Sequence, residues 1–85
     1  MRNVGFIYQI TIRTTGKKYI GLTARTVLGR VNEHVSDRRR HLYHSLLNNV
    51  FKVRTLRKIR YTKKIELFRL ERFFINKLRP KLNRI

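Results

Sequence analysis

The sequence predicts one small α+β domain, because strand-like and helix-like patterns both occur within its 85 residues. Residues 6–12 and 18–23 are rich in β-branched and aromatic residues and flank a turn sequence, which is typical of a β-hairpin. Residues 63–79 instead carry apolar side chains at helical spacing. A chain of this length fits a single domain with a modest core.

The predicted hairpin places two phenols together. Residues 14–17 form its turn, in which Gly16 is able to adopt a positive φ. With an even loop and no bulge, residue parity puts Tyr8 and Tyr19 on one face, with open space beside them at Gly21. Two tyrosines on one strand face are also common in an ordinary core. Taken alone, the pair favours core packing over a catalytic role.

The next predicted element is a helix over residues 26–37, with Thr26 as its N-cap. Its apolar stripe would consist of Leu28, Val31 and Val35. Arg30 and His34 are spaced i, i+4, so they lie one above the other on a neighbouring face. Such a pair is usual on a solvated helix face. Beside two tyrosines, it would instead be suited to bind a phosphate.

The middle of the chain is less regular. Residues 37–41 predict a basic loop or helix start, and residues 42–52 a second helix with apolar residues Leu46, Leu47, Val50 and Phe51. His41 and His44 are spaced i, i+3, but without a nearby acid or thiol they favour contact with solvent or phosphate over metal binding. Residues 53–61 have an apolar residue at every third position and also contain β-branched residues that favour a strand. We predict a strand.

Glu71 is the anomaly of the last predicted helix, which spans residues 63–79 and precedes Pro80. At about 100° per residue, five apolar side chains lie within about 60° of it. They are Leu67, Phe68, Phe74, Ile75 and Leu78. A carboxylate in an apolar stripe is costly unless its charge is stabilised. The alternatives are an ion pair with Arg30 or another cation, and a divalent metal ion.

Charge is the strongest global signal, with 22 Lys and Arg against 4 Asp and Glu and a formal net charge of +18. Self-repulsion at this density opposes folding and favours nucleic acid as the partner, because each neutralised phosphate releases counterions. Anionic membranes and a ribosomal role are the alternatives. The candidate contacts to a nucleic-acid backbone are Lys17, Arg38, Arg39, Arg40, Arg54, Arg57, Lys58 and Arg60.

Composition also excludes several classes of protein. The chain has no cysteine, which excludes a disulfide framework and a thiolate metal site. No apolar run approaches the roughly 20 residues that span a bilayer, and residues 1–12 lack the layout of a signal peptide. We therefore expect a cytoplasmic protein with no membrane partner.

These residues, taken together, resemble the pattern of the GIY-YIG nucleases. The words GFIY at residues 5–8 and YIG at residues 19–21 are similar to the two words that name the family, with Phe6 added in the first. Family members carry an Arg on the first helix, a Glu on a later helix and an Asn shortly after it. The homing-endonuclease branch adds a His four residues after the Arg. The matching residues are Tyr8, Tyr19, Arg30, His34, Glu71 and Asn83.

The resemblance implies a three-stranded antiparallel sheet flanked by helices and a DNA endonuclease that hydrolyses phosphodiester bonds by a one-metal mechanism. Glu71 would be the protein ligand of Mg²⁺ or Mn²⁺, and Arg30 would neutralise the scissile phosphate. Tyr8 would activate the attacking water, with Tyr19 and His34 as positioning or proton-transfer groups. Which of these three is the general base stays open. Asn83 would fix the C-terminal segment near the site.

Homing and restriction members of the family append recognition modules, and we expect none here, because this sequence stops directly after the catalytic pattern. We therefore expect low sequence specificity, a monomer or weak dimer, and a phage or mobile-element protein acting in the cytoplasm of a bacterial or phage-infected cell. Two alternatives remain. One is a non-catalytic basic nucleic-acid-binding protein of the same fold, and the other is a ribosomal or RNA-associated protein with chance matches.

Overall fold

The computed structural model describes residues 3–36, 46 and 50–83. In chain order the elements are β1 (Asn3–Ile12), β2 (Lys18–Thr23), α1 (Val27–Ser36), β3 (Phe51–Tyr61) and α2 (Lys64–Leu78). The strands form one antiparallel sheet of three strands in the order β2-β1-β3. The expected α+β fold with a three-stranded antiparallel sheet is therefore confirmed. Within the described ranges, neither helix has the length and apolar character required to cross a bilayer.

The hairpin of β1 and β2 has the predicted register. Tyr8 lies opposite Gly21, and Ile10 lies opposite Tyr19. Directly opposed residues of an antiparallel pair face the same side, so both tyrosines share a face, as parity predicted. Gly16 has a φ of 72° in the turn, and its N–H donates to the Ile12 carbonyl at 2.8 Å. Glycine adopts this left-handed conformation without a steric penalty.

Strand β3 is confirmed over residues 53–61 but begins earlier than predicted, at Phe51. Phe51 pairs with Ile12, and Lys52 pairs with Thr11. The helix predicted over residues 42–52 is therefore wrong at these two residues, because the far end of the long strand β1 supplies backbone partners for them. The register shifts between Ile7 and Tyr8, so β3 contains a bulge-like irregularity.

Part of the predicted middle of the chain lies outside the described residues. This holds for the loop at residues 37–41, for His41 and His44, and for most of the predicted second helix. Leu46 is described, and it is buried in the core with an exposed fraction of 2%. Val50 is instead 63% exposed, just before β3.

The sheet is covered on both faces. On one face, Tyr8, Ile10 and Ile12 pack with Val31 of α1 and with Leu46. On the other face, Leu67 of α2 lies over Gly5, where an added Cβ would come within 2.7 Å of the Leu67 side chain. The absence of a side chain at residue 5 therefore lets α2 approach the sheet closely.

Helix α1 has the predicted N-cap, since the Gly29 N–H donates to Thr26 Oγ1 at 3.1 Å. Its predicted apolar stripe is wrong at Leu28, which is 71% exposed. The helix is rolled so that Val27, Val31 and Val35 contact the core and His34 shares their buried side. An imidazole thus occupies a buried position that the predicted apolar stripe did not include.

Helix α2 ends as predicted, before Pro80. Arg79 caps it in the left-handed conformation with a φ of 46°, and its N–H donates to the Ile75 carbonyl at 2.9 Å. The predicted apolar stripe is only partly buried. Leu67 is 1% exposed, whereas Phe68 is 51% and Leu78 is 44% exposed. The stripe is wider than the area that the small sheet covers, so its edges project into solvent.

Candidate active site

A buried cluster of three rings is formed by Tyr8 of β1, Tyr19 of β2 and His34 of α1. Tyr8 is fully buried and His34 is 3% exposed. Tyr8 Oη lies 3.0 Å from His34 Nε2, which is hydrogen-bonding distance. The Tyr19 ring packs edge-on against His34 with the centroids 5.3 Å apart, and its centroid lies 6.3 Å from that of Tyr8. Three elements therefore bring two phenols and an imidazole together.

Gly21 provides the space for this cluster. A Cβ at residue 21 would lie 2.5 Å from Tyr8 Oη and 2.9 Å from Cε1 of Tyr19. Both distances are shorter than any ordinary carbon contact, and the neighbouring atoms belong to packed rings. Glycine is thus required beside the phenols, as the open space inferred from parity indicated.

The Tyr8 phenol is neutral at physiological pH in this environment. Burial raises the pKa of Tyr8 well above its ordinary value, and the nearby Tyr19 phenol adds to the rise. The Arg30 guanidinium opposes this shift without cancelling it. A neutral phenol donates its proton to His34 Nε2 when that imidazole is neutral with its proton on Nδ1. In that tautomer, the hydrogen bond runs from the phenol oxygen to the imidazole nitrogen.

Arg30 is close enough to act electrostatically on both Tyr8 of the ring cluster and Glu71. Its guanidinium Nη1 donates to Glu33 Oε2 at 3.0 Å in a half-exposed ion pair. Arg30 Nε is buried and has no hydrogen-bond partner among the described residues. The guanidinium also lowers the pKa values of both Tyr8 and Glu71. The positive charge of Arg30 thus acts on both halves of the site.

Glu33 was missed by the sequence analysis. It is one of only 4 acids in the chain, and its i, i+3 spacing from Arg30 was the available signal. Its ion pair with Arg30 bears on the first alternative for Glu71, which was pairing with that same arginine. The carboxylate that contacts Arg30 is the one from Glu33, one turn along α1.

Glu71 is half-buried on α2. No hydrogen bond or ion pair joins its carboxylate to another residue of the described segments 3–36, 46 and 50–83. Burial raises the pKa of Glu71, while the guanidinium groups of Arg72 and Arg30 lower it in part. Its side chain lines a groove with Phe68 and Arg72. An acid in this setting is available to a ligand.

The described residues contain no cluster of three or more His, Cys, Asp or Glu side chains that would enclose a metal ion. A single carboxylate nevertheless fits Mg²⁺, which keeps several waters and binds through one or two carboxylates together with substrate phosphates. Glu71, which has no partner within the described ranges, is the residue of the site with this chemistry.

A cavity of about 520 Å³ adjoins Arg30, between the start of α1 and the start of α2. Its charged and polar lining comes from Arg25, Thr26, Arg30, Glu33 and Lys64. This volume lies within the usual range for small-molecule sites. Three cations against one acid make it suited to a phosphate group.

Asn83 holds the C-terminal segment against the outer edge of β2. Its Oδ1 accepts from the Ile20 N–H and its Nδ2 donates to the Ile20 carbonyl, both at 2.7 Å. The Leu82 N–H also donates to the Lys18 carbonyl at 2.9 Å. The amide of Asn83 is thus occupied by backbone groups of Ile20, the residue that follows Tyr19.

The predicted backbone-binding cations are exposed wherever they are described. Lys17 lies in the hairpin turn, and four others lie on β3: Arg54, Arg57, Lys58 and Arg60. The register places Lys58 and Arg60 on the sheet face of Tyr8, and it places the other two on the opposite face. They therefore surround the strand instead of forming one surface. Arg38, Arg39 and Arg40 lie outside the described residues.

Comparison with known proteins gives one positive result. Searches of curated proteins and of solved structures return no match. A family model for the GIY-YIG catalytic domain matches residues 4–83, which is nearly the whole chain. The match includes the hairpin, the ring cluster, Glu71 and Asn83. The chain therefore belongs to the GIY-YIG family, and its general function is that of a nuclease.

Proposed function

We propose that this protein is a DNA endonuclease that requires Mg²⁺ or Mn²⁺ and hydrolyses phosphodiester bonds with one metal ion. The observation that carries the proposal is the position of Arg30. Its guanidinium acts electrostatically both on the Tyr8 phenol of the buried phenol–imidazole pair and on a carboxylate with no partner among the described residues. A cation at this point suits a phosphodiester that must meet a base on one side and a metal ligand on the other.

Glu71 would hold the divalent ion. When bound, such an ion polarises a phosphate oxygen and stabilises the leaving oxygen. Arg30 would donate to the same phosphate and neutralise its charge, because charge-assisted hydrogen bonds from a guanidinium to a phosphate are strong. Its Nε is buried and has no hydrogen-bond partner among the described residues, so it would donate to the phosphate only after the guanidinium moves outward.

Proton transfer would run through Tyr8 to His34. Tyr8 Oη would accept a proton from the attacking water as its own proton passes to His34 Nε2. This relay avoids a free phenolate, which the raised pKa of Tyr8 disfavours. Because Tyr8 is fully buried, water reaches Oη only after a covering group moves. We propose that the substrate phosphate draws the Arg30 guanidinium outward and opens this path, while the half-buried Tyr19 orients the water.

Backbone contacts would come from the exposed cations of β3 and from Lys17. Contacts with phosphates do not read sequence, which supports low specificity for this chain on its own. One site in a monomer favours single-strand nicks, so a double-strand cut would need a dimer or two visits. His34, four residues after Arg30, favours the homing-endonuclease branch and with it a phage or mobile-element origin.

A plasmid-nicking assay tests the proposal. We expect Glu71→Gln to reduce Mg²⁺-dependent nicking of supercoiled DNA by roughly 10³-fold. Glu66→Gln is the matched control, because Glu66 is an exposed acid in the first turn of the same helix. It should leave the rate within about twofold of the wild type. Thermal melts would establish that both variants fold.

Two outcomes would contradict the proposal. Equal nicking by the wild type and Glu71→Gln would show that Glu71 does not support the reaction. Tight DNA binding without nicking by the wild type would instead favour a non-catalytic binding protein of the same fold. That alternative requires the cations of β3 but explains neither the carboxylate in the apolar stripe of α2 nor the buried phenol–imidazole pair.

A further inference from the structure

Phe68 is an exposed aromatic side chain at the centre of the proposed site. It is 51% exposed although it belongs to the apolar stripe of α2. It lines the cavity that contains Arg30 and also lines the groove that contains Glu71. It precedes Glu71 by three residues and Arg72 by four, so both side chains are its neighbours on the helix surface.

The surroundings of this ring are cationic. Lys64 and Arg25 line the cavity on one side of Phe68, and Arg69 and Arg72 line the groove on the other. Proteins that bind single-stranded nucleic acid combine cations that follow the backbone with aromatic rings on which bases stack. A second copy of this chain is disfavoured as the occupant, because contact between two proteins of net charge +18 is repulsive.

We infer that Phe68 stacks on an unpaired base next to the scissile phosphate. The inference rests on the proposed function, since Arg30 must bind that phosphate for the base to lie here. It also names the substrate class. A base within an intact duplex has both faces covered by its neighbours, so the ring is available only to single-stranded, gapped or mismatched DNA.

Phe73 provides a matched control on the same helix. It is 53% exposed, almost the same fraction as Phe68. It is two residues from Glu71, which places it about 200° around the helix axis, on the far side. Its ring already has partners, since Phe74 packs edge-on at 5.5 Å and Lys77 Nζ lies 5.6 Å from its centroid. The two phenylalanines therefore differ mainly in their distance from the proposed site.

The test uses an oligonucleotide containing 2-aminopurine, in single-stranded and duplex forms, with EDTA present so that no cleavage occurs. We expect the wild type to quench the single-stranded probe and to bind it more tightly than the duplex. Phe68→Ala should weaken single-strand binding by roughly 5- to 150-fold, the range measured for stacking by alanine substitution. Its duplex affinity should stay unchanged, as should both affinities of Phe73→Ala.

Several outcomes separate this inference from the proposed nuclease activity. Equal losses in the two phenylalanine variants, or no preference for the single strand, would overturn the stacking role of Phe68. The Glu71→Gln variant should still quench the probe, because it keeps the Phe68 ring. Quenching by a wild type that never nicks DNA would remove the nuclease proposal and keep the stacking role. Nicking by a wild type that does not quench the probe would support the nuclease proposal and overturn the stacking role.

Discussion

The two halves of the site differ in how the fold holds them. Tyr8 and His34 are buried, hydrogen-bonded to each other and part of the cluster that forms the core. Glu71 is half-exposed and has no hydrogen-bond or ion-pair partner within the described part of the chain. In the proposed mechanism, the first half would therefore be both structural and chemical, whereas the second would supply chemistry alone. Substitutions should separate the two halves. A substitution in the first half should lower both stability and cleavage, whereas one in the second half should lower cleavage alone.

The largest effect should come from Gly21→Ala. A Cβ there would overlap the Tyr8 hydroxyl and the Tyr19 ring, both held in the packed core. Overpacking of this kind destabilises by about 1–3 kcal/mol, which corresponds to a fall in Tm of roughly 4–8 °C per kcal/mol. Nicking should be lost as the rings separate. Calorimetry and the plasmid assay would measure the two losses together.

Gly29→Ala controls for the substitution itself. A Cβ at residue 29 would also be close to another atom, Thr26 Oγ1 at 2.9 Å, but that hydroxyl is able to rotate. The gain in helix propensity, about 1 kcal/mol, offsets a weakened N-cap of similar size. We expect a Tm close to that of the wild type. A large fall at Gly29 with none at Gly21 would contradict the steric explanation.

A smaller effect on stability should follow Tyr8→Phe. Removal of the hydroxyl leaves the buried His34 Nε2 without its bond to Tyr8, at a cost of about 1 kcal/mol. Cleavage should fall by roughly 10²- to 10⁴-fold, the usual contribution of a general acid–base group. Tyr61→Phe is the comparison, since Tyr61 is equally buried but lies on the opposite face of the sheet. Equal cleavage by Tyr8→Phe and Tyr61→Phe would rule out the proton relay.

The smallest effect should be a pH-dependent change in stability when Glu71 is replaced by Gln. Because burial raises the pKa of this carboxyl above its ordinary 4.5, the folded state holds the proton more tightly than the unfolded state. Stability from this group is thus complete below pH 4.5 and is lost as pH rises through the folded pKa. Glu71→Gln should therefore melt higher than the wild type at pH 7, with a difference that vanishes at acidic pH.

Added Mg²⁺ sharpens the same comparison. An ion that binds only the folded wild type stabilises it by mass action. We expect Mg²⁺ to raise the Tm of the wild type at pH 7 and to leave that of Glu71→Gln unchanged. The same Mg²⁺ response in both proteins would place the ion elsewhere in the molecule.

Local rules were enough to predict the hairpin, but they could not predict which side chains of the helices are buried. Residue parity put Tyr8 and Tyr19 on one face because strand geometry alternates without exception over so short a ladder. A helical wheel gives only the angle of each side chain. It could not show that the sheet covers Leu67 and leaves Phe68 exposed, since that depends on where α2 crosses the strands. The burial of His34 was missed for the same reason, because it follows from the roll of α1 about its axis.

The hydrogen bonds from Asn83 make the Ile20 amide a reporter of how the C-terminal segment attaches to β2. This N–H is bonded to a side chain 63 residues away in sequence instead of to a neighbouring strand. In hydrogen-exchange NMR, its protection therefore measures how often the C-terminal segment detaches from β2. We expect Asn83→Ala to speed exchange at Ile20 by about tenfold, which corresponds to roughly 1.4 kcal/mol for the lost hydrogen bonds. Amides at the centre of β1 should stay protected, so one resonance would follow the closing of the site beside Tyr19.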